Sequence, residues 1–219
     1  WLQSCNDVVV LLEFPKYCWT TKEKFYAKAM VANYSNKILN KELTWEIKYQ
    51  NGKVFQKGNF DTQSIKNGGI TVIGDIEADL SAVKKNEKFN LHVSITGSAY
   101  SNIYPVWVYN TSTEISIPKD IIVSEILNAD VLENLEGGAK VLLFPKSEDV
   151  QGKSVPGHFP PEFWNYGMFK GISEWVKKPV SPGTLGILTN PGHPLFKSFP
   201  TDYHTNWQWF SIIKASNAF

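Results

Sequence analysis

Residues 43–49, LTWEIKY, alternate without a break. Leu43, Trp45, Ile47 and Tyr49 fall on one side, with Thr44, Glu46 and Lys48 on the other. A two-residue period of this kind predicts a strand with one buried face. The stretch KFYAKAMVANYS (24–35) repeats it, with Phe25, Ala27, Ala29 and Val31 opposite Tyr26, Lys28 and Met30. Asn51-Gly52 follows the first strand directly and KVFQKGNF comes next. Asn-Gly tolerates the positive φ of a type I′ turn, so a hairpin is predicted. GITVIGDIEADL (69–80) and KFNLHVSITGS (88–98) read as two further strands, joined by a charged turn around Lys84 to Lys88, and YPVWVYN (104–110) reads as the last. Closely spaced short strands with turns between them predict an all-β sandwich of immunoglobulin type over residues 1–117, without the Cys–Trp–Cys spacing of antibody domains.

Beyond STEISIPKD the pattern changes. DIIVSEI (120–126) is a short, nearly all-apolar run, as in a strand buried on both faces. In NADVLENLEGG, Asn128 is a candidate cap, Val131, Leu132 and Leu135 form a helical apolar stripe, and Gly137-Gly138 ends it. AKVLLFP supplies a second apolar strand, so strand, helix and strand predict a parallel crossover. GTLGILTN (183–190) is a third candidate strand. A C-terminal helix is expected to start after Thr205 or Asn206, with Trp207, Phe210 and Ile213 near helical spacing. Residues 118–219 therefore read as a small α/β domain with a short, mainly parallel sheet, its boundary near Ile117-Pro118.

Composition narrows the partners. The 22 lysines and arginines almost cancel 21 aspartates and glutamates, and no basic block is present, which argues against nucleic acid. No apolar run reaches the roughly 18 residues of a membrane span. The chain opens at Trp1 without methionine or a visible signal peptide, and reads as a processed protein or a piece of a longer one. Cys5 and Cys18 are too few for a zinc site; they are a single disulfide in an oxidising compartment or two half-buried thiols. The four histidines, 92, 158, 193 and 204, show no metal-ligand spacing. Neither Glu133 with Glu136 nor Glu148 with Asp149 has the aromatic and polar setting of a glycosidase pair; both read as solvated charge. Asn33-Tyr34-Ser35 and Asn110-Thr111-Ser112 match the glycosylation sequon, which matters only in a eukaryotic secretory pathway. No metal or cofactor is expected.

Candidate chemistry concentrates in aromatic residues. Phe199 to Phe210 holds five aromatic rings and one histidine in twelve residues. Trp207, Trp209, Tyr203 and His204 fit a sugar platform or a docking surface; equally, Phe199 and Tyr203 could fill space beneath a final helix that Asn206 caps. Two helical positions apart, Trp207 and Trp209 point about 200° from each other, so at most one lies deep in a core. His193, in NPGHP, is either a ligand or base at a strand end or a turn histidine donating to a carbonyl. The loop from Lys146 to Pro161 is long enough to be functional or partner-bound. Trp164 and Trp175, which follow it, are candidate docking residues.

GTLGILTNPGHPLFKSFPTDYHTNWQWF (183–210) resembles the C-terminal end of bacterial glycoside hydrolases of family two, the β-galactosidase-like group. NLEGGAKVLLFP (134–145) fits the same region, which resembles a reduced glutamine-amidotransferase-like or flavodoxin-like domain. YCWTTKEKFYAKAMVANYSN (17–36) and YPVWVYN resemble the Ig-like domain that precedes it. The resemblance implies chemistry elsewhere: a (β/α)8 barrel with two glutamates needs roughly 250 residues, and neither half has room. An amidotransferase would need a nucleophilic cysteine, and neither cysteine lies in the second half. The implied role is a non-catalytic module of a periplasmic or secreted hydrolase. Its partners would be that enzyme's catalytic barrel, an oligosaccharide, or a second copy in a homodimer. The rival readings are a free-standing carbohydrate-binding module using exposed tryptophans, and an α/β enzyme with a site near His193 and His204.

Overall fold

A computed structural model describes residues 3–112, 118–156, 166–178, 180 and 188–218. It is β-rich, with several sheets and few helices. Two compact units divide it, one within Trp1–Thr113 and Asn190–Thr201, the other within Glu114–Thr189 and Asp202–Phe219. The division is not linear: Asn190–Thr201 clusters with the first unit, whereas the sequence pattern places it in the α/β half.

The first unit contains β1 (Val8–Glu13), β2 (Cys18–Thr20), β3 (Lys24–Asn33), β4 (Leu39–Tyr49), β5 (Val54–Ile65), β6 (Gly69–Asp79), β7 (Glu87–Ile95) and β8 (Ser101–Tyr109). They form a three-stranded sheet, β1-β3-β6, and a five-stranded sheet, β2-β8-β7-β4-β5. Side chains from both sheets share one buried cluster. Alternation decides which: Phe25, Ala27, Ala29 and Val31 of β3 are buried, as are Phe89, Leu91, Val93 and Ile95 of β7. In β4 Leu43 and Ile47 are buried, while Trp45 and Tyr49 pack half-buried against the same cluster. Each aliphatic or phenyl side chain so buried contributes about 1.5–3 kcal/mol. β1 is not foreseen by the pattern, because VVVLLE reads as an unphased apolar run. Pairing with β3, Val10 opposite Val31, gives it a phase, and Val8 and Val10 face the core.

Polar groups tie the two sheets together. The Asn102 amide, nearly buried on β8, donates to Val10 O of β1 (3.1 Å). The Tyr104 hydroxyl accepts from Leu12 N (3.3 Å) and donates to Val10 O (3.3 Å). Buried Asn33 spends its amide on Lys37 O and Ile65 O, and its oxygen accepts from the Ser35 backbone and hydroxyl. Every hydrogen-bonding position of that side chain is occupied, so the sequon there is closed to modification in the folded chain.

The hairpin at Asn51-Gly52 forms, but not with the expected turn. Of the two residues only Gly52 has positive φ (84°). Gly52 N donates to Tyr49 O, and Tyr49 N donates to Lys53 O. That pattern makes a three-residue loop with glycine alone in the left-handed position. The Asn51 side chain instead accepts from Lys53 N (3.0 Å). Two other glycines seat aromatic rings. Gly58, opposite Trp45, lies under its indole, and Gly74, beside a register shift in the β3–β6 pair, faces the ring of Phe60.

The second unit contains β9 (Ile121–Ser124), α1 (Ala129–Glu136), β10 (Lys140–Leu143), a 3-10 helix (Ser147–Lys153), β11 (Val155–Pro156), α2 (Tyr166–Trp175), a 3-10 turn (Trp207–Trp209), α3 (Phe210–Lys214) and β12 (Asn217–Ala218). β9 and β10 pair in parallel across α1. Asn128 caps α1, its side chain accepting from Val131 N (2.9 Å). Gly138, at φ 88°, closes it, with Ala139 N bonded to Asn134 O. The expected burial of both strands does not occur. Val123, Leu142 and Leu143 are exposed, because β9 and β10 form a sheet of two strands among the described residues. The expected stripe of α1 is likewise split, with Val131 buried and Leu132 and Leu135 exposed. α2 is not foreseen; Gly167 and Gly171 mask the helical spacing of Met168, Ile172 and Trp175. The expected long loop after Lys146 holds the Ser147–Lys153 helix and β11, which pairs with β12. The third candidate strand falls on 183–187, outside the described residues, and on Leu188, which bridges His204. Among the described residues no helix is long and apolar enough to cross a membrane.

The seat of Trp45 is open to test. An added Cβ at Gly58 would lie 2.7 Å from the Trp45 ring. Gly58→Ala should therefore lower unfolding stability by about 1–3 kcal/mol through overpacking. In urea the midpoint should fall with the slope unchanged; an unaltered midpoint would show that the indole is not fixed there.

Candidate functional site

Proline and histidine give the segment Asn190–Thr201 its own shape before it meets anything else. Asn190 O accepts from His193 N (2.9 Å), and the Asn190 side chain accepts from Gly192 N (3.1 Å). Pro194–Phe196 form one 3-10 turn, with Pro194 at a position that needs no N–H. His193 caps that turn: its Nδ1 accepts from Leu195 N at 3.2 Å, so the ring proton sits on Nε2. The histidine thus accepts from the backbone, where the turn reading has it donating to a carbonyl. Phe199 N then bonds to Phe196 O (3.0 Å).

This segment lies on the outer side of the five-stranded sheet. Phe199 stacks on Tyr109 of β8, with centroids 6.0 Å apart and planes at 21°. Asn86, just before β7, donates from its amide to Ser198 O (2.6 Å). The same Asn86 accepts from Asn110 N (2.8 Å), which fixes the end of β8 beneath the segment. Tyr109 shares its face of β8 with Trp107, two residues earlier. Trp107 is 0% exposed yet lies outside the core cluster. Lys88 sits over its ring at 5.5 Å, and Cys18 of β2 is its neighbour across the sheet. Burial pushes the Tyr109 hydroxyl well above its ordinary range and raises the Cys18 thiol, beside which Lys16 acts in the opposite sense. Cys5 is exposed, and neither cysteine is in a disulfide.

The remaining candidates lie in the second unit. Trp175, the last residue of α2, is 83% exposed and Tyr203 is 76% exposed. His204 is exposed and bridges Leu188, while Thr189 N donates to Tyr203 O (3.0 Å). The Asn206 side chain accepts from Trp207 N (2.8 Å) and starts the Trp207–Trp209 turn. Trp207 is 43% exposed and Trp209 is half-buried. The buried positions there are Gln208 and Ile213, so of the stripe 207, 210, 213 only Ile213 faces inward. Trp164 lies outside the described residues. At the carboxyl end of β10, Leu143, Phe144 and Pro145 line a cavity of about 200 Å³ with Val150 and Ala215–Asn217. Among the described residues its lining carries no titratable side chain.

A larger, shallow groove of about 520 Å³ runs over β4 and β5, between Glu42, Thr44, Glu46, Lys57 and Asn59. Cross-strand partners extend it as polar rungs: Asn59, Thr44 and Ser94 in one, Lys57, Glu46 and His92 in the next. Lys48 bonds Glu46 at 2.6 Å and holds its carboxyl below the usual range. A glycosidase acid needs the opposite shift. The two glutamates are four residues apart on a strand, roughly 13 Å along the backbone, wider than the 5–9.5 Å of glycosidase pairs. The groove can hydrogen-bond a polyhydroxylated chain; it is not arranged to cleave one. Among the described residues no cluster of His, Cys, Asp and Glu could hold a metal.

Two family models match parts of the chain, each described as a domain of unknown function: DUF8488 over residues 23–110 and DUF8487 over residues 122–219. No curated protein matches. Glycoside hydrolases are among the weakly similar solved structures. A β-glucosidase from Listeria innocua is 10% identical over 47% of this chain and 16% of its own, with a TM-score of 0.36. A family 123 glycoside hydrolase from Clostridium perfringens is 9% identical over 54% of this chain and 30% of its own, at 0.35. An alkylpurine DNA glycosylase from Pseudomonas fluorescens scores 0.38 at 13% identity, over 47% of this chain and 30% of its own. The chain thus spans less than a third of each, and likeness this slight carries no function across.

Sequence reasoning missed the Tyr109–Phe199 stack and the burial of Trp107 outside the core. The available signal was YPVWVYN itself, apolar on both faces, which demands a cover on each. The site sorts tryptophans into two roles that stability can separate. Trp107→Ala should cost about 3–5 kcal/mol, whereas Trp175→Ala should stay within about 0.5 kcal/mol. Denaturant titration of the two variants checks this; equal losses would refute the sorting.

Proposed function

We propose that the chain is a non-catalytic accessory module of a larger carbohydrate-active hydrolase, with an immunoglobulin-like first unit and a reduced amidotransferase-like or flavodoxin-like second unit. The sequence resemblance of 17–36, 104–110, 134–145 and 183–210 suggests the parent. The observation that carries the docking role is the contrast in ring exposure. In the first unit Trp19 and Trp107 are buried and Trp45 is half-buried, whereas the second unit presents Trp175, Tyr203 and Trp207 to solvent. These rings and the exposed Leu142, Leu143 and Phe144 of the same unit suit a protein surface such as the parent's catalytic barrel. On this reading the module works outside the cytoplasm with its parent, and the second unit is the part that a partner covers.

Binding of an oligosaccharide is the second reading. It is favoured by the polar groove over β4 and β5 and by the exposure of Trp175, since flat rings stack on apolar sugar faces.

Three measurements test these readings. The reading frame encoding the chain should also encode a barrel of about 250 residues, and the 219-residue chain alone should release no nitrophenol from nitrophenyl glycosides. A frame without room for a barrel, or turnover by the chain itself, overturns the accessory role. In affinity gels containing soluble polysaccharides, retardation lost in Trp175→Ala would favour the sugar reading; unretarded migration on every polysaccharide would remove it.

A further inference from the structure

Two turns of the first unit meet at one end of the sandwich, and lysines line the hollow between them. One is the Asn51-Gly52 turn between β4 and β5; the other joins β6 to β7 over residues 80–86. They flank an open pocket of about 300 Å³, whose lining includes Tyr49, Asn51, Lys53, Lys84, Lys85 and Glu87. That volume is at the lower end of small-molecule sites.

Both walls are fixed by the fold. In the first, Gly52 N donates to Tyr49 O, Tyr49 N donates to Lys53 O, and the Asn51 side chain accepts from Lys53 N. The Gln50 amide donates to Lys88 O (3.1 Å), which ties this turn to β7. In the second wall Val83 is buried, and its N donates to Leu80 O (3.1 Å). The Asn110 amide donates to Lys84 O (2.6 Å) and the Asn86 side chain accepts from Asn110 N (2.8 Å), so the chain is pinned on either side of Lys85. A site built on held backbone loses little freedom when it binds.

Donors outnumber acceptors in this pocket. Lys85 pairs with Glu87 at 3.3 Å. Among the described residues Lys53 and Lys84 have no acidic partner, and the Asn51 amide nitrogen and the backbone N–H groups of Lys84 and Lys85 make no hydrogen bond. Three ammonium groups face one carboxylate, an excess of two positive charges in a chain whose net charge is +1. A carboxylate ligand would balance one of them. A tetrahedral dianion balances both, and its several oxygens can accept from both turns at once; lysine serves such a group as a point charge. A nucleic acid backbone would call for a stripe of such charge, and this is one cluster.

We propose that the pocket is a binding site for a small phosphate or sulfate group, free or as an ester, held by Lys53 and Lys84 from opposite walls with Lys85 as the third cation. The inference goes beyond the accessory-module reading and does not depend on it, since it rests on the first unit alone.

Inorganic phosphate added to the isotope-labelled full chain at low ionic strength should shift the amide resonances of residues 51–53 and 82–87 saturably, and sulfate should compete. Lys53→Gln and Lys84→Gln should each weaken the affinity roughly two- to fivefold, the weight of one exposed charge pair. Glu87→Gln should strengthen it by a similar factor, because it frees Lys85. Lys66→Gln removes a lysine that follows the far end of β5 and should change nothing. Glucose 6-phosphate binding more tightly than inorganic phosphate identifies an ester as the ligand; equal or weaker binding identifies the free ion. Absence of a saturable shift at these residues, an equal loss in Lys66→Gln, or weaker binding in Glu87→Gln overturns the site.

Discussion

The C-terminal half of β8, Val106–Tyr109, has no polar face, and the first unit is arranged around that fact. Val106 and Val108 point into the sandwich, while Trp107 and Tyr109 point away from it, and none of the four is freely solvated. An antiparallel strand in a two-layer sandwich ordinarily keeps one side wet. Burying an aromatic side chain removes about 150–250 Å² from water, worth roughly 4–6 kcal/mol at 25 cal/mol per Å². A second cover over β8 is therefore comparable with the whole net stability of many domains. The inner cover is the three-stranded sheet, bound through Asn102 and Tyr104. On the outer side lies a segment some eighty residues further along the chain, and the non-linear division of the two units follows from it.

What the sequence made legible was local. Alternation in β3 and β4 identified their buried faces residue by residue, and the Asn128 and Gly137-Gly138 signals bracketed α1 correctly. Where a signal admitted several geometries, the reading faltered. Asn-Gly suits a type I′ turn, yet here the Asn51 side chain accepts from Lys53 N and only Gly52 turns left-handed. VVVLLE has no phase of its own and acquires one by pairing with β3. Trp207, Phe210 and Ile213 share a helical spacing, but a short 3-10 turn precedes α3 and rotates the stripe, so that Gln208 and Ile213 go inside. No local pattern couples Phe199 to Tyr109; that contact is set by topology. The exposed placement of Trp175 was equally illegible, because it depends on α2, which two glycines concealed.

The second unit shows what happens when apolar surface is not matched by layers. Its parallel crossover is correctly formed, with capped helix and paired strands. Parallel strands, however, are stable where both faces are covered, and a two-stranded sheet is marginal alone. Among the described residues its buried apolar side chains are Val131 and Ile213, while Leu142, Leu143, Phe144, Ile172 and Trp175 remain at the surface. The first unit closes over Trp19 and Trp107, while among the described residues of the second Trp175, Tyr203 and Trp207 stand at the surface. This asymmetry is the physical content of assigning cohesion to one unit and docking to the other.

The two ways of covering an aromatic ring also differ in how they can be undone. Trp19 and Phe25 lie inside the shared core, with ring centroids 5.0 Å apart, and exposing them requires parting the sheets. Trp107 and Tyr109 lie on the far side, where the strand ladder persists whether or not the cover is present. Burial on that side leaves the Trp107 indole N–H and the Tyr109 phenol without hydrogen-bond partners, a cost that burial inside the shared core does not remove for Trp19 either.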